Sequence, residues 1–362
     1  MSNNETSKVK SHCLRVPRGL GEAAIKLASR IGILNRDLKV SREDDYILIP
    51  IAGLPTEEQL DEIRRGIQDF EVVVREIQRR EKTPKNIIDF LGDRLPPHLL
   101  ASIPRSIDFV GDLAILEIPE ELEPYKRLIG EAVLNVFKRV RSVLAKSSAV
   151  SGVYRLREYE VIAGSENTET VHREYGCIYH LDPKKVYFSP RLSYEHFRIA
   201  SQVGEGETVI DMFAGVGPFS ILIAKAHKNV LVYAIDINPN AIEYLTKNIY
   251  ANDVYGRVIP ILGDAREIIR SRLRGVADRV IMNLPERAIE YIDAACSAIK
   301  PSGGIIHYYE FSESPHVTED VKGRISEAIK GAGRRMEAIL SERSVKEVAP
   351  FKWQIAIDIK IR

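Results

Sequence analysis

The sequence predicts an α/β protein whose largest part is a doubly wound parallel sheet that ends in an antiparallel hairpin. Three observations support this fold class: apolar runs alternate with helical segments from about residue 183 onwards, a glycine-containing turn follows the first run, and two extended segments close the chain. The expected strands are Thr208–Met212, Leu231–Ile235, Val258–Leu262, Arg279–Met282 and Gly304–Tyr309, followed by the pair Met336–Arg343 and Trp353–Ile361. Alternation of this kind places crossover helices on both faces of the sheet.

The length of 362 residues predicts more than one domain. We expect a small N-terminal α/β module over residues 1–69, a charged linker over 70–85, an α+β domain over 86–182 and the parallel-sheet domain over 183–362. The linker prediction rests on the charged stretch Arg75–Lys85. The module is predicted as strand Ser11–Val16, helix Gly19–Ile31, strands Leu38–Val40 and Tyr46–Pro50, and helix Glu57–Ile67.

Composition excludes several classes of protein. Hydrophobic residues make up 44% of the chain and charged residues 28%, with a net charge of +1, so nothing global indicates a nucleic-acid binder. The cysteines Cys13, Cys177 and Cys296 lack metal-ligand spacing and favour a reducing, cytoplasmic environment. No signal peptide or membrane-spanning apolar run is visible, and no coiled-coil pattern, so we expect a cytoplasmic monomer without a membrane partner.

The middle domain carries a local concentration of positive charge. A strand is predicted over Phe109–Ile118 and a long amphipathic helix over Glu121–Lys146. Between Lys126 and Arg157 there are eight basic residues and one acidic residue, Glu131. Such a run is either a solvated face or a surface that follows phosphates, since Lys and Arg contacts dominate nucleic-acid affinity. Under the second interpretation, Lys138, Arg139 and Arg141 are candidate RNA-binding residues.

The clearest motif is the stretch Val209–Ile221, VIDMFAGVGPFSI, in which a strand turns through Gly215 and Gly217 into a helix. Such a turn brings the backbone close to a ligand, and the helix start offers unpaired N–H groups. Dinucleotide-binding proteins use a related turn, but the form DxFAGxG, with Asp211 and Phe213, is typical of S-adenosylmethionine sites. We therefore predict a class I methyltransferase domain, a Rossmann-like sheet, with S-adenosylmethionine as cofactor.

Polar residues follow the next three strands. Asp236 ends the second strand, where a carboxylate accepts hydrogen bonds from ribose hydroxyls. Asp264 ends the third strand, where methyltransferases bind the adenine amino group; alone, it is more typical of a helix N-cap, and the strand order is what favours the cofactor contact. The fourth strand ends in Asn283, Leu284 and Pro285, a rigid turn whose side-chain amide can face a base edge. Glu286 and Arg287 stand where DNA adenine methyltransferases have an aromatic residue, which disfavours that activity.

At this point the chain resembles the archaeal and eukaryotic tRNA (guanine-N1)-methyltransferases that act on guanosine 37. The resemblance covers nearly the whole chain, although the N-terminal module matches by layout more than by motif. Its motifs are YRLREYEVIAG (Tyr154–Gly164), KVYFSPRLSYEH (Lys185–His196), DMFAGVGPFS (Asp211–Ser220), AIDINPNAIE (Ala234–Glu243), VIMNLPERA (Val280–Ala288) and GGIIHYYEF (Gly303–Phe311). The resemblance implies tRNA as partner and S-adenosylmethionine as cofactor, and it leaves open a Mg²⁺ ion that acts through the RNA.

The resemblance also implies roles for individual residues. Glu195 matches a general base, Arg155 an arginine that stabilises charge on guanine O6, and Tyr187 a tyrosine near the target base. The remaining matches are the turn that holds the base, Asn283 with Pro285, and the cofactor contacts Asp236, Ile237, Asp264 and Ala265. His196 matches a further cofactor contact, although relatives often have Arg there.

The chemistry suits these residue types. Guanine N1 carries a proton, so a carboxylate must remove it, and the resulting charge on O6 needs directed donors such as a guanidinium. Related wybutosine-pathway enzymes transfer an aminocarboxypropyl group or methylate a tricyclic guanosine derivative, and remain an alternative. An NAD-linked oxidoreductase would require a third glycine, and a non-catalytic tRNA-binding protein would not need Glu195 and Arg155.

Overall fold

The computed structural model describes residues 8–80, 84–92, 94–149 and 152–362. The chain divides into two compact units, residues 1–85 and 86–362, which are considered separately below. Residues 1–7 of the predicted module, 81–83 of the predicted linker and 150–151 of the basic run lie outside the described residues.

The N-terminal unit is a four-stranded antiparallel sheet with two helices. Its elements are β1 (Lys8–Pro17), α1 (Gly21–Arg30), β2 (Ser41–Glu43), β3 (Tyr46–Pro50), α2 (Glu57–Gly66) and β4 (Glu71–Gln78), and the strand order is β2-β3-β1-β4. Leu14, Ala24, Leu27 and Ile63 bring the helices and the sheet into one apolar core. Thr56 and Gln59 form a capping box at the start of α2, which fixes where that helix begins.

The predicted linker was wrong over residues 71–78. This charged stretch is β4, which pairs with β1 from Lys8↔Gln78 to Arg15↔Glu71. Ile77 is buried within it and Val73 packs beside it, while the intervening charged side chains face solvent. A strand with one buried face needs few apolar residues, which is why composition alone indicated a linker. The strand predicted at Leu38–Val40 was also misplaced, since β2 begins at Ser41.

The second unit begins with an α+β region. Its elements are α3 (Ile87–Leu91), α4 (Pro97–Leu100), β5 (Asp108–Val110), β6 (Leu113–Leu116), α5 (Lys126–Val136), β7 (Ser142–Lys146) and β8 (Tyr159–Gly164), followed by the hairpin β9 (Thr170–Glu174) and β10 (Cys177–Leu181). The predicted helix Glu121–Lys146 was wrong in its last third, because the chain leaves the helix at Phe137 and forms β7. The predicted strand Phe109–Ile118 is two strands joined by a turn at Gly111.

The rest of the second unit is a seven-stranded sheet in the order β13-β12-β11-β14-β15-β17-β16. Its elements are α6 (Ser193–Gln202), β11 (Thr208–Asp211), α7 (Pro218–Ala226), β12 (Leu231–Asp236), α8 (Pro239–Ala251), β13 (Val258–Leu262), α9 (Ala265–Arg272), β14 (Arg279–Met282), α10 (Ile292–Ala298), β15 (Gly304–Ser312), α11 (Glu319–Gly331), β16 (Met336–Ala349) and β17 (Lys352–Ile361). The strands β11 to β15 are parallel, and β17 and β16 form the antiparallel terminal hairpin. The predicted fold class is confirmed.

Helices cover both faces of this sheet. Residues of α6, α7 and α8 form one apolar core with the sheet, and residues of α9, α10 and α11 form the other. The first core continues into the α+β region through Val110, Leu113 and Leu144. The two parts of the second unit therefore share buried side chains. Of the helices in the part of the chain that the structure describes, none is long and apolar enough to cross a membrane.

The hairpin β9–β10 is attached to the sheet domain by side-chain amides. Asn252, the C-cap of α8, accepts from the Ile178 N–H at 2.8 Å and donates to the Ile178 carbonyl at 2.7 Å. Asn248, one turn earlier in α8, makes the same pair of contacts: it accepts from the His180 N–H at 2.7 Å and donates to the His180 carbonyl at 3.1 Å. The amides thus occupy backbone groups that a third strand would otherwise pair. The predicted domain boundary at 182 falls after this hairpin, although the hairpin packs on the sheet domain.

Candidate active site

The site is a cleft at the carboxyl ends of the parallel strands, where β11 and β14 are neighbours. Ligands bind at this edge of doubly wound sheets because strand ends and helix starts meet there. The cleft has a volume of about 330 Å³, and Tyr154 and Arg155 of the α+β region complete its wall. Of the predicted site residues it is lined by Arg155, Tyr187, Phe213, Gly215, Asp236, Ile237, Asp264, Ala265, Asn283 and Pro285.

The glycine turn shapes one end of the cleft. Gly215 and Gly217 have φ values of 56° and 91°, in the left-handed region that favours glycine. A side chain at Gly217 would also collide with Leu245 of α8. Gly217 is the N-cap of α7, so the first N–H groups of that helix lie beside the turn. The turn therefore allows the close backbone approach that its sequence predicts.

Asp236, at the end of β12, is hydrogen-bonded to the glycine turn. Its two carboxylate oxygens accept hydrogen bonds from the N–H groups of Gly215 at 2.7 Å and Asn238 at 2.8 Å. Burial raises the pKa of Asp236, against the opposing effect of these hydrogen bonds. Each oxygen keeps a further lone pair with which to accept a hydroxyl from a ligand in the cleft.

The third strand ends in a helix cap that also lines the cleft. The Asp264 carboxylate accepts from the N–H groups of Arg266 at 2.8 Å and Glu267 at 3.3 Å, both through Oδ1. The helix cap is thus present, and because capping uses only one oxygen, the side chain also lines the cleft. Ile237 and Ala265 lie in the same wall and are apolar, as a site for a flat aromatic ring requires.

The other end of the cleft combines a guanidinium, a phenol and an amide. Arg155 adopts a left-handed backbone conformation with φ of 54°, and its guanidinium is bound to Glu286 at 2.7 and 3.4 Å. It also lies 5.9 Å from the centre of the Tyr187 ring. Asn283 accepts a hydrogen bond from Gln354 through Oδ1 at 3.0 Å, which leaves its NH₂ group to donate. The carbonyl of Pro285 accepts from the Phe311 N–H at 3.1 Å, so the turn is fixed to β15.

Glu195 is not among the residues that line this cleft. Its side chain is 1% exposed and its carboxylate accepts from Arg198 Nε and Tyr309 Oη, both at 3.0 Å. The Nη1 atom of Arg343 lies 3.1 Å from the other oxygen. Burial, followed by the Glu195 charge, raises the pKa of Tyr309, so that hydroxyl remains a donor. The arrangement joins α6 to the strands β15 and β16.

Two further predicted cofactor residues also lie outside the cleft lining. His196 is buried and its Nδ1 is 2.7 Å from Glu174, with its ring edge-on to Phe219. Although burial opposes it, hydrogen bonding from His172 and His196 lowers the pKa of Glu174 to about 2. Asp211 is fully buried and accepts from the Ser220 hydroxyl at 2.7 Å; burial raises its pKa to about 7. In this structure both residues hold the domain together beneath the cleft.

The three basic candidates of the middle domain differ from one another. Lys138 and Arg139 are exposed in the turn after α5, and not on a helix face as the sequence predicted. Arg141 is engaged within the fold, with Asp112 at 2.8 Å and the carbonyls of Asn167 and Glu169 at 2.6 and 2.9 Å. Its role as an RNA contact stays a prediction, but its position has a structural explanation.

Sequence reasoning missed several residues of the cleft. Gln354 is 2% exposed on β17 and holds Asn283 from 71 residues away. The sequence feature that could have identified Gln354 is its position as the one amide side chain in the mainly apolar strand Lys352–Ile361. Glu286 was noted only as a departure from other enzymes, yet it is the partner of Arg155. Tyr291 was also missed; its ring meets that of Phe213 edge-on, with centres 5.1 Å apart.

The sheet order, the glycine turn and the carboxylates at successive strand ends together define a class I methyltransferase. Three family models match consecutive parts of the chain: the tRNA methyltransferase 5 N-terminal domain over residues 13–57, the TYW2 N-terminal domain over 87–168 and the TRM5/TYW2 methyltransferase domain over 170–337. The chain therefore belongs to the TRM5/TYW2 methyltransferase family.

Two relatives and one solved structure illustrate how much of this chain is shared with other members of the family. The tRNA (guanine(37)-N(1))-methyltransferase Trm5b of Pyrococcus abyssi is 42% identical over 348 residues, 96% of this chain and 98% of that protein. The tRNA 4-demethylwyosine(37)-methyltransferase Taw21 of Saccharolobus solfataricus is 38% identical but matches 71% of this chain. Among solved structures, a complex of aTrm5 with tRNALeu has a TM-score of 0.77 at 35% identity, covering 97% of this chain and 99% of that one.

Proposed function

We propose that this enzyme transfers the methyl group of S-adenosylmethionine to N1 of guanosine 37 in tRNA. The observation that carries the proposal is the division of one cleft into two chemically different ends. One end has carboxylates and apolar walls, and the other has Arg155, Tyr187 and Asn283, which suit the polar edge of a purine. The name of the Pyrococcus abyssi relative, which matches both units of this chain, supports the same activity.

The residues at the first end fit an adenosyl cofactor. The Asp236 carboxylate has lone pairs for ribose hydroxyls, and Asp264 has an oxygen for the adenine amino group. Ile237 and Ala265 would contact the faces of the ring, and Gly215 leaves room for the methionine part, since a Cβ there would have its nearest neighbour 3.6 Å away. The bound cofactor supplies an electrophilic methyl group on a sulfonium, so positioning contributes much of the acceleration.

At the second end the chain must bind the guanine and provide a base that accepts its N1 proton. The N1–C(methyl) bond forms as the methyl–sulfur bond breaks, and the N1 proton leaves to a base. Arg155 would donate to O6, where negative charge develops, and Asn283 would fix the base edge. Because Arg155 is bound to Glu286 in this structure, the guanidinium must share or exchange that contact when guanine enters.

The base in this proposal is Glu195. A carboxylate that can reach the guanine edge is a suitable acceptor for the N1 proton. To reach that proton, Glu195 must exchange at least part of its contacts with Arg198 and Arg343 for the substrate. The competing interpretation is that Glu195 only anchors α6, with the proton leaving to another group.

A wybutosine-pathway activity is the second candidate. The tRNA(Phe) (4-demethylwyosine(37)-C(7)) aminocarboxypropyltransferase of Methanocaldococcus jannaschii is 34% identical, yet it matches only 69% of this chain. The N-terminal unit, which the tRNA methyltransferase 5 model matches over residues 13–57, favours guanine methylation. A second methylation of a tricyclic guanosine derivative is compatible with the same cleft.

The deciding experiment uses S-adenosylmethionine labelled either in its methyl group or in its carboxyl carbon. The enzyme is incubated with an unmodified tRNA that has guanosine at position 37, and the tRNA is digested to nucleosides. Our proposal requires methyl label in N1-methylguanosine and no carboxyl label in tRNA. Carboxyl label in tRNA would indicate aminocarboxypropyl transfer, and label in neither form would reject both candidates. A tRNA with adenosine at position 37 is the matched substrate control.

A further inference from the structure

A second cleft adjoins the first and is not used by the reaction proposed above. Its volume is about 370 Å³, and it lies between the α+β region and the terminal hairpin. Arg155, Tyr187, Glu286 and Gln354 line both clefts, so they form a shared wall. A group bound in the second cleft therefore lies next to whatever the first cleft binds.

Basic residues in the lining of the second cleft outnumber the acidic ones, which are Asp108, Glu286 and Glu347. The basic residues are Lys146, Arg155, Arg157, Arg191, Lys346 and Lys352. Several are neutralised within the fold: Asp108 binds Arg191 at 2.6 Å and lies 3.9 Å from Lys146, and Glu286 binds Arg155. Lys346, Arg157 and Lys352 differ, because none of the three has a carboxylate within ion-pair distance among the described residues; Lys352 instead lies over the Phe311 ring, with its Nζ 4.9 Å from the ring centre.

Lys346 is the best-positioned of these cations. It is half-buried, and its Nζ donates to the Ser189 hydroxyl at 3.1 Å. Burial, then the repulsion of Arg191, lowers its pKa to about 8; Lys146 and Arg155 also face it, and Asp108 opposes them. An ammonium surrounded by cations with no paired carboxylate is unfavourable unless an anion joins it.

The hairpin connects Lys346 to the base-binding turn. Lys346 lies opposite Gln354 in the β16–β17 ladder, and the Gln354 amide donates to Asn283. Residues directly opposite in an antiparallel pair share a face of the sheet. The cation and the amide that positions Asn283 are thus cross-strand neighbours.

We propose that the second cleft binds a phosphodiester of the tRNA strand immediately beside the nucleotide in the first cleft, with Lys346 and Arg157 as its cationic ligands. This inference rests on the proposed function, because it assumes that an RNA base enters the first cleft. The ligand class follows from the donors: two cations without paired carboxylates and the Ser189 hydroxyl match a singly charged phosphate diester. The site would hold the strand while the base projects into the first cleft.

The test pairs variants of Lys346 with tRNAs that lack one phosphate charge. Full-length tRNAs are assembled with a single uncharged methylphosphonate linkage on the 5′ or the 3′ side of nucleotide 37. Affinity is measured by equilibrium binding without cofactor. For the wild type we expect one of the two linkages to weaken binding by about 10-fold, the effect of losing one charge-assisted contact. Lys346→Met should also weaken binding of normal tRNA, and the methylphosphonate should then have a smaller effect than in the wild type, because only Arg157 still contacts the phosphate as a cation.

Two further variants make the result specific. Lys346→Arg keeps the charge and should keep the sensitivity to the linkage. Lys360→Met is the matched control, because Lys360 lies on the same hairpin, pairs with Glu337 at 3.1 Å and is outside both clefts. From about pH 7 to about pH 9 the linkage sensitivity of the wild type should fall towards that of Lys346→Met as the Lys346 ammonium deprotonates, whereas the sensitivity of Lys346→Met should stay the same.

The proposal would be overturned if the losses from Lys346→Met and from each linkage were additive, or if neither linkage weakened binding by the wild type. Methyl transfer to normal tRNA is measured in parallel. Coupling between Lys346 and one linkage without methylation of guanosine 37 would reject the proposed reaction and leave the phosphate site in place. Methylation without coupling would reject only the phosphate site.

Discussion

Replacing Glu195 with glutamine tests whether this buried carboxylate is a base, an anchor for α6, or both. Glutamine has nearly the same shape and can still accept from Tyr309 Oη and Arg198 Nε through its amide oxygen. Its NH₂ group, however, would face the Arg343 guanidinium, and two donors cannot form a hydrogen bond with each other. If Glu195 is the base, single-turnover methyl transfer should slow by roughly 10²–10⁴-fold, with little change in affinity for cofactor or tRNA.

The anchoring role has a separate cost that can be estimated from the contacts. The substitution removes the ion pair with Arg343, which is close but not hydrogen-bonded, and weakens the hydrogen-bonded pair with Arg198. Contacts of this kind contribute about 1.5–3 kcal/mol each when buried, so the free energy of unfolding should fall by about 2–4 kcal/mol. Urea unfolding measures this loss directly, and kinetics are then compared at a temperature where both enzymes are folded.

Asp358→Asn is the matched control, because Asp358 shares Arg198 with Glu195 and does not line the cleft. Its carboxylate binds Arg198 at 2.5 and 3.2 Å and lies 2.6 Å from His307 Nδ1. This variant should lose a similar amount of stability while transferring methyl groups within about threefold of the parental rate, since no reacting proton depends on it. If Glu195→Gln matches the parental rate, or if both variants slow transfer equally, Glu195 is not the base.

Three further predictions concern other parts of the site. Asp236→Ala should weaken cofactor binding by about 2–4 kcal/mol in calorimetry, because two ribose hydroxyls lose their acceptor; unchanged affinity would contradict the assignment. Arg155→Met should slow single-turnover transfer by about 10²–10³-fold, whereas Glu286→Gln, which frees that guanidinium, should not; equal losses would mean that only the ion pair matters. Reversing the exposed Lys138 and Arg139 to Glu should weaken tRNA binding and reduce its salt dependence, and an unaltered salt slope would exclude them as phosphate contacts.

The parallel sheet could be predicted because its signals are local. Each of the strands β11 to β14 is a short run of β-branched and other apolar residues, and the glycine turn and strand-end carboxylates lie within a few residues of those runs. The ten cleft residues named from the sequence either follow a strand directly or belong to the matched motifs. Their closeness along the chain to a predicted strand or a recognised motif was sufficient to identify them.

The helix predicted to Lys146 shows where periodicity fails. Residues 142–146, SVLAK, are apolar enough to continue the stripe of a helix, and nothing within the segment opposes that reading. The structure makes them a strand because they are buried between two partners, parallel to β6 and antiparallel to β8. A short apolar run does not distinguish a buried strand from a buried helix, so pairing with distant strands decides.

The polar site residues that do not line the cleft, Glu195, His196 and Asp211, are all buried. Glu195 and His196 are neighbours in one of the motifs that carry the family resemblance; Glu195 is buried in an ion pair with Arg198, and His196 is buried in a hydrogen bond with Glu174. A sequence shows that an acid is present but not which cations surround it. The partners Arg343 and Glu174 come from β16 and β9, far away along the chain.

The same long-range contacts explain why the site needs more than the parallel-sheet domain. Arg155 comes from the α+β region, yet its partners Glu286 and Tyr187 belong to the sheet domain and the segment before it. The apolar core is also continuous across this division, through Leu113 and Leu144. A guanidinium that must stabilise charge on a base gains from being held by a shared core, because its position then depends on packing and not on a linker. The α+β region therefore forms part of the wall of the candidate active site, and its contribution depends on the same packing that holds the sheet domain.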